Sequence, residues 1–160
     1  MSKSDFEREI ADNGVLYYTV SGLSMLPLLH PHSDIVVIRK PNGRLKKYDV
    51  ALYKIPDGRY VLHRIIKVRD KDYVICGDHC IRKEYGISDD NIIGVMTEFV
   101  RKGKTHSVDA AAYRLYSHFI TDFYRIKVAY LWSGRAVLGF MRKIKRIFSL
   151  TSALRRGKMR

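Results

Sequence analysis

The sequence predicts a mainly β domain followed by amphipathic α-helices, and three observations support that fold class. Between residues 15 and 100, short runs rich in β-branched and aromatic residues alternate with clusters of Gly, Pro and Asp. One connection, at residues 56–59, contains the Asp-Gly pair typical of a β-hairpin, so neighbouring strands are expected to run antiparallel. Beyond residue 106 the apolar residues recur at intervals of three and four, which indicates helices.

The β-domain is expected to span residues 15–106 and to follow a short helix within residues 1–14. In that helix Phe6 and Ile10 lie four residues apart on one face, and Asn13-Gly14 ends it. Five or six strands are expected, at residues 15–20, 35–39, 50–55, 60–68, 73–76 and 92–100.

Two amphipathic helices are expected within residues 107–160, the first beginning near Asp109 and the second following Ser133-Gly134. The first apolar stripe is Ala112, Tyr116, Phe119, Phe123, Ile126 and Tyr130, and the second is Val137, Phe140, Met141, Ile144, Ile147 and Phe148. We expect the first stripe to cover the β-domain. The second is opposed by a basic face, which is typical of peripheral contact with an anionic membrane surface through residues 135–160.

Net charge is positive and unevenly distributed along the 160 residues, a length that suits one compact domain with an appendage. The formal net charge is +14, and residues 101–160 hold fifteen of the thirty Lys and Arg but only two of the sixteen Asp and Glu. Such asymmetry indicates a polyanionic partner, either an anionic membrane or nucleic acid. No zinc finger, stacking-aromatic motif or recognition-helix pair is evident, so nucleic acid is the weaker expectation.

Cysteine content and hydropathy limit the remaining classes of protein. The only cysteines, Cys76 and Cys80, cannot form a disulfide framework, and with His79 they would crowd three metal ligands into five residues. We therefore expect reduced thiols, no metal and no cofactor. The N-terminus lacks the apolar run of a signal peptide, and no run of about 18 apolar residues occurs. The sequence thus predicts a cytoplasmic protein, peripheral at the membrane.

The candidate nucleophile is Ser24, which lies in a glycine-containing turn between the first two predicted strands. A serine in such a turn commonly only bonds nearby backbone, and a catalytic serine needs a base and a donor for the oxyanion. The wider pattern, Gly22-x-Ser24-Met25-x-Pro27 with an Asp before a Val/Ile run, resembles the nucleophile box of the signal peptidase I family, a branch of the S24/S26 serine peptidases.

The resemblance covers about residues 15–100 and implies a mostly antiparallel, coiled β-fold with a shallow substrate cleft. It implies that Ser24 attacks the peptide carbonyl, that the Ser24 N–H helps to form the oxyanion hole, and that Met25 packs beside it. Many relatives have a serine as an oxyanion donor where this chain has Gly22, so backbone donors would carry more of that task here.

The candidate base is His63, which period-two alternation places on one strand face with Val61 and Ile65. The segment Leu62–Ile66 is similar to the His-Arg-hydrophobic element that carries the base in signal peptidases of the endoplasmic-reticulum and archaeal type. Common bacterial relatives and self-cleaving repressors have a lysine there. A neutral imidazole can accept the serine proton without the deep burial that a lysine base requires.

Two acidic residues are candidates for the third catalytic role. Gly77-Asp78 resembles the Gly-Asp that opens the last box of the family, so Asp78 either orients His63 or supports the Ser24 turn. Glu84 is the second candidate, for contact with His63, because it stands where the orienting acid usually lies; Asp89 and Asp90 are weaker. The sequence therefore predicts a serine endopeptidase that cleaves a peptide or precursor protein. The alternative is a non-catalytic binding module tethered to a membrane by its basic C-terminus.

Overall fold

The computed structural model describes residues 5–129 together with residues 131 and 133. It contains helix α1 (Asp5–Asn13), a 3-10 turn (Asp89–Asn91) and helix α2 (Ala111–Asp122). The eight strands are β1 (Val15–Thr19), β2 (Ile35–Arg39), β3 (Val50–Lys54), β4 (Tyr60–Val68), β5 (Tyr73–Cys76), β6 (Glu84–Ile87), β7 (Ile92–Arg101) and β8 (Lys104–Ser107).

The strands form one antiparallel sheet, which confirms the predicted mainly β class. Their order is β1-β2-β7-β3-β4-β5-β6, and β8 pairs with β7. The β3–β4 pair is the predicted hairpin, and its register sets Ala51 opposite His63. Two strands were not predicted, β6 and β8. Both are four residues long and lack a run of alternating apolar residues, so the strand pattern is absent from their sequences.

Buried residues form two apolar cores, and β4 contributes to both. Leu62 belongs to a core with Leu16, Val36 and Leu52, whereas Ile65 belongs to a second core that Val61 packs against. The alternation along β4 therefore holds as predicted, because successive side chains point to opposite faces of a strand.

Helix α1 packs on the sheet through the two apolar residues that predicted it. Ile10 is buried, and the Phe6 ring meets the rings of Tyr18 and Tyr60 edge-on, with centroids 5.0 and 5.3 Å away. A Cβ at Gly94 of β7 would lie 2.4 Å from Ile38 and 3.2 Å from Ile10. The glycine therefore lets the helix approach the sheet closely.

Helix α2 differs from the sequence prediction in where it begins and in which of its residues are covered. Its N-cap is Ala110 rather than Asp109. Tyr116 packs against the domain as expected, but Phe119 and Phe123 of the predicted covering stripe are more than half exposed. The buried residues of α2 are Ser117 and Thr121, which are polar and were therefore not part of the predicted apolar stripe.

The chain divides into two compact units, Met1–Phe123 and Tyr124–Arg160, so α2 belongs with the β-strands. The described residues of the second unit are helical, and Ile126 among them is exposed. The expected second stripe and the expected membrane contact of residues 135–160 lie outside the described residues. Within the described part of the chain, no helix is long and apolar enough to cross a bilayer.

Candidate active site

Ser24 lies in the compact turn that follows β1. The turn is closed by the Leu26 N–H, which donates to the Leu23 carbonyl at 3.2 Å, and by the Leu29 N–H, which donates to the Met25 carbonyl at 2.9 Å. Met25 and Leu29 are buried and fasten the turn to the first core, while Ser24 stays partly exposed. The apolar residues of the motif thus fix the backbone and leave the hydroxyl at the surface.

His63 on β4 is held by an acid on β6, two strands away, and by a phenol on the adjacent strand β3. Its Nδ1 lies 2.8 Å from Glu84 Oε1, and the Tyr53 hydroxyl donates to Glu84 Oε2 at 2.6 Å. The Tyr53 oxygen is also 3.2 Å from His63 Nδ1. Since the tyrosine proton is given to Glu84, Nδ1 can carry a proton and donate it to both neighbours. That arrangement leaves Nε2 free to accept a proton.

The electrostatics of this trio keep the acid charged and the phenol neutral. The hydrogen bond from His63 is the main cause that lowers the pKa of Glu84; burial opposes it and the bond from Tyr53 adds to it. Burial, and then the bond to Glu84, raise the pKa of Tyr53 far above its usual value.

Gly77, which follows β5, lies in space between the Ser24 turn and His63 of β4. A Cβ at this position would stand 2.6 Å from the Ser24 carbonyl oxygen, 2.8 Å from Cys80 Sγ and 3.1 Å from His63 Cδ2. The next turn is tied to the same place, because the His79 N–H donates to the Ser24 carbonyl at 2.7 Å. Only a glycine permits this approach, so Ser24 and His63 border the same residue, although 39 positions separate them.

The ring edge that faces this junction carries Cδ2, whose bonded neighbour in imidazole is Nε2, the nitrogen left free by Glu84. Within the described residues, the Ser24 hydroxyl forms no hydrogen bond with His63. Catalytic hydrogen bonds are often long before substrate binds and tighten in the complex.

Asp78 does not contact His63. Both of its carboxylate oxygens are taken up by Arg64, at 2.8 and 2.7 Å, and one also accepts from the Tyr116 hydroxyl at 3.0 Å. Arg64 is fully buried; burial lowers the pKa of its guanidinium, but the charge and hydrogen bonds of Asp78 raise it more. Of the two acids that the sequence proposed, Glu84 is therefore the one in contact with the histidine, whereas Asp78 is bound by Arg64 and Tyr116.

A cleft of about 190 Å³ opens beside Ser24. Its walls include the serine turn, β1, β3 and β4 as well as Phe6 of α1; the apolar and aromatic lining residues are Phe6, Tyr18, Val20, Met25, Leu52, Tyr60, Val61 and Leu62. Gly22 also lines it, and a Cβ there would have only Ser24 Oγ nearby, at 3.9 Å. The cleft can therefore admit an extended apolar segment next to the hydroxyl.

Two members of the site were missed in the sequence. Tyr53 lies two residues from Ala51, which is paired with His63, and such diagonal neighbours come within reach of each other across a hairpin. The predicted β3–β4 hairpin could therefore have indicated the contact between Tyr53 and His63. Tyr116 reaches Asp78 from α2, and no local pattern pointed to that contact. The weaker candidate Asp89 accepts a hydrogen bond from Tyr73 instead of approaching His63.

In the part of the chain that the structure describes, no three His, Cys, Asp or Glu side chains are grouped so that they could hold a metal ion. Cys76 and Cys80 are not joined in a disulfide. Comparisons of this chain with protein-family models, with curated proteins and with solved structures each find no significant match.

Proposed function

We propose that this protein is a serine endopeptidase in which Ser24 is the nucleophile, His63 the general base and Glu84 the residue that orients it. The observation that carries the proposal is the 2.8 Å contact between His63 Nδ1 and Glu84. It leaves the other edge of the imidazole ring facing Gly77, which also borders Ser24. The resemblance of the Ser24 and His63 motifs to signal peptidase I supports it, and the antiparallel sheet is in this view a variant of that fold.

The reaction would proceed through an acyl-enzyme. Ser24 Oγ attacks the peptide carbonyl while its proton passes to His63 Nε2, and Glu84 stabilises the imidazolium that forms. The Ser24 N–H, which has no hydrogen-bond partner within the described residues, can donate to the oxyanion. The leaving amine takes the proton from His63 as the C–N bond breaks. Water then attacks the ester while its proton passes to His63, and as the bond to Ser24 Oγ breaks His63 returns that proton to Oγ, which frees the acid product and restores Ser24.

The proposed substrate is an extended apolar segment of a peptide or precursor protein. The cleft beside Ser24 is lined by apolar and aromatic side chains, and a lining of this kind favours extended segments with few charges near the scissile bond. Processing of a leader or signal-type segment fits these requirements, since a signal-type segment contains an apolar stretch just before its cleavage site.

The test begins with unbiased cleavage of a synthetic peptide library, read by mass spectrometry, followed by kinetics on the best peptide. Ser24→Ala and His63→Ala should each lower kcat by about 10⁴-fold or more. Ser33→Ala and His32→Asn are matched controls and should keep wild-type rates; asparagine suits position 32 because the residue there has a φ of 59°. Unchanged turnover in either active-site variant would end the assignment.

A second candidate function is a non-catalytic module that binds peptides in the same cleft. It is favoured by one observation, the lack of a hydrogen bond between Ser24 and His63. The discriminating experiment is labelling with a fluorophosphonate probe. Labelling of wild type but not of Ser24→Ala supports the enzyme, whereas no labelling together with full biological activity of Ser24→Ala supports the binding module.

A further inference from the structure

Three large apolar side chains, two on the outer face of α2 and one on the C-cap residue that follows it, are left largely exposed by the β-domain. Leu115, Phe119 and Phe123 follow one another at intervals of four, which places them in one row along the helix. They are 74%, 57% and 52% exposed, and the rings of Phe119 and Phe123 are in contact, with centroids 5.4 Å apart. We call these three residues the outer row.

The helix is held so that the outer row cannot turn inward. On the domain side, the Tyr116 hydroxyl donates to the buried Asp78 at 3.0 Å. Near the end of the helix, Asp122 accepts a hydrogen bond from Lys47 at 2.6 Å and others from the Tyr48 hydroxyl at 3.1 and 3.2 Å. Because these contacts fix the rotation of α2 about its axis, the fold itself keeps the outer row exposed.

The positive charge of the chain after α2 indicates what kind of partner would cover the outer row. The 37 residues that follow Phe123 contain eleven Lys and Arg and no Asp or Glu. An anionic bilayer offers acyl chains to Leu and Phe side chains and phosphates to cations, so it matches both features. Nucleic acid would leave the outer row in water. A second copy of this chain would bring two strongly positive segments together, which costs energy through repulsion.

We propose that α2 is a membrane-docking element whose outer row inserts into the interface of an anionic lipid bilayer. The docking surface is separate from the cleft beside Ser24, so this inference goes beyond the proposed peptidase and stands or falls without it. Helix α2 would lie in the plane of the interface, and the cationic residues after it would strengthen binding to the same lipids.

Depth-dependent fluorescence quenching tests the insertion itself. Trp132 is the only tryptophan of the chain, so Trp132→Phe provides a silent full-length background. In that background Phe119→Trp should be quenched by brominated acyl chains when vesicles of phosphatidylglycerol and phosphatidylcholine are added. Tyr17→Trp, at an exposed position of β1, is the matched control and should stay unquenched. Vesicle binding without quenching at position 119 would overturn the proposal.

Vesicle affinity gives a second, independent measurement. Serine at all three outer-row positions should lower the partition coefficient of the full chain on anionic vesicles roughly 100-fold, because the apolar area available for insertion is lost. Tyr17→Ser with Tyr85→Ser removes similar exposed rings elsewhere and should change it little. Circular dichroism verifies folding of both variants. If the triple variant instead converts a dimer into a monomer at unchanged vesicle affinity, the row is an interface between copies and the proposal is wrong.

Discussion

Replacing Glu84 by glutamine tests the contact on which the peptidase proposal depends. The carboxylate accepts two hydrogen bonds, from His63 Nδ1 at 2.8 Å and from the Tyr53 hydroxyl at 2.6 Å. An amide can accept on one side only. If its NH₂ faces His63, the ring proton must move to Nε2, where it prevents uptake of the serine proton. If its oxygen faces His63, the tautomer is kept but the negative charge is lost.

The two orientations of the glutamine amide give the lower and upper limits of the expected loss in kcat. Unit charges about 4 Å apart interact by roughly 4 kcal/mol at an effective dielectric constant of about 20. The Glu84 side chain is 31% exposed, and solvent screening brings the loss to about 3 kcal/mol, or about 10²-fold in rate. The wrong tautomer costs up to about 10⁴-fold in catalytic triads. We therefore expect E84Q to lower kcat by about 10²- to 10⁴-fold with little change in KM.

The assay is hydrolysis of a quenched fluorescent peptide taken from the library cleavage. Glu98→Gln makes the same chemical change on β7, where no contact with His63 exists within the described residues, and should leave kcat unchanged. A kcat for E84Q within about threefold of wild type, in a protein that Ser24→Ala inactivates, would refute the orienting role.

Three further predictions concern the close approach at Gly77, the room at Gly22 and the buried Asp34. A methyl group at Gly77 would stand 2.6 Å from the Ser24 carbonyl oxygen, so Gly77→Ala should displace the turn and lower kcat on the same peptide by about 10²-fold or more; an unchanged kcat would show that the junction does not position Ser24. An added Cβ at Gly22 has Ser24 Oγ as its nearest neighbour, at 3.9 Å, so Gly22→Ser can supply an oxyanion donor and should raise kcat about 10-fold. Gly22→Ala should not, and an equal gain in both variants would contradict the oxyanion role. Burial raises the pKa of Asp34, but hydrogen bonds from Arg101 and from the His30 N–H lower it more, so the net shift is downward. Asp34→Asn should therefore lower the melting temperature at neutral pH, and the difference from wild type should shrink as the pH falls below about 4 and the folded carboxylate takes up its proton; thermal melts by circular dichroism that show a pH-independent difference would contradict this.

The strands that the sequence predicted each place at least two hydrophobic side chains in or against an apolar core, whereas β6 contributes only Ile87. β3 and β4 carry that signal strongly, and the Asp-Gly connection between them also fixed their register. β8 is exposed along three of its four residues and exists because β7 is long enough to pair with it. Its stability comes from a partner strand, which no local pattern encodes.

The candidate site shows the same division between local and long-range information. The motif around Ser24 and the alternation around His63 are local, and both residues were proposed from sequence. Asp78 lies in the connection between β5 and β6, and Glu84 begins β6. Which of the two comes close to His63 depends on the path of that connection, and only the fold determines it. The spacing of residues along the chain could name both acids but could not assign their roles.

The partners of Asp78 imply that the folded domain around the candidate site extends beyond residue 100 and includes α2. Arg64 follows the candidate base directly and is fully buried, and its charge is balanced by Asp78. Tyr116 adds a hydrogen bond to that carboxylate, and the Tyr113 hydroxyl accepts one from Arg64 at 3.2 Å. Without α2 this ion pair would be opened to water on one side and would lose both phenols, at about 1.5–3 kcal/mol for each hydrogen bond to a charged group. Because Asp78 adjoins Gly77, the glycine between Ser24 and His63, the helix that presents the outer row also supports the geometry of the candidate active site.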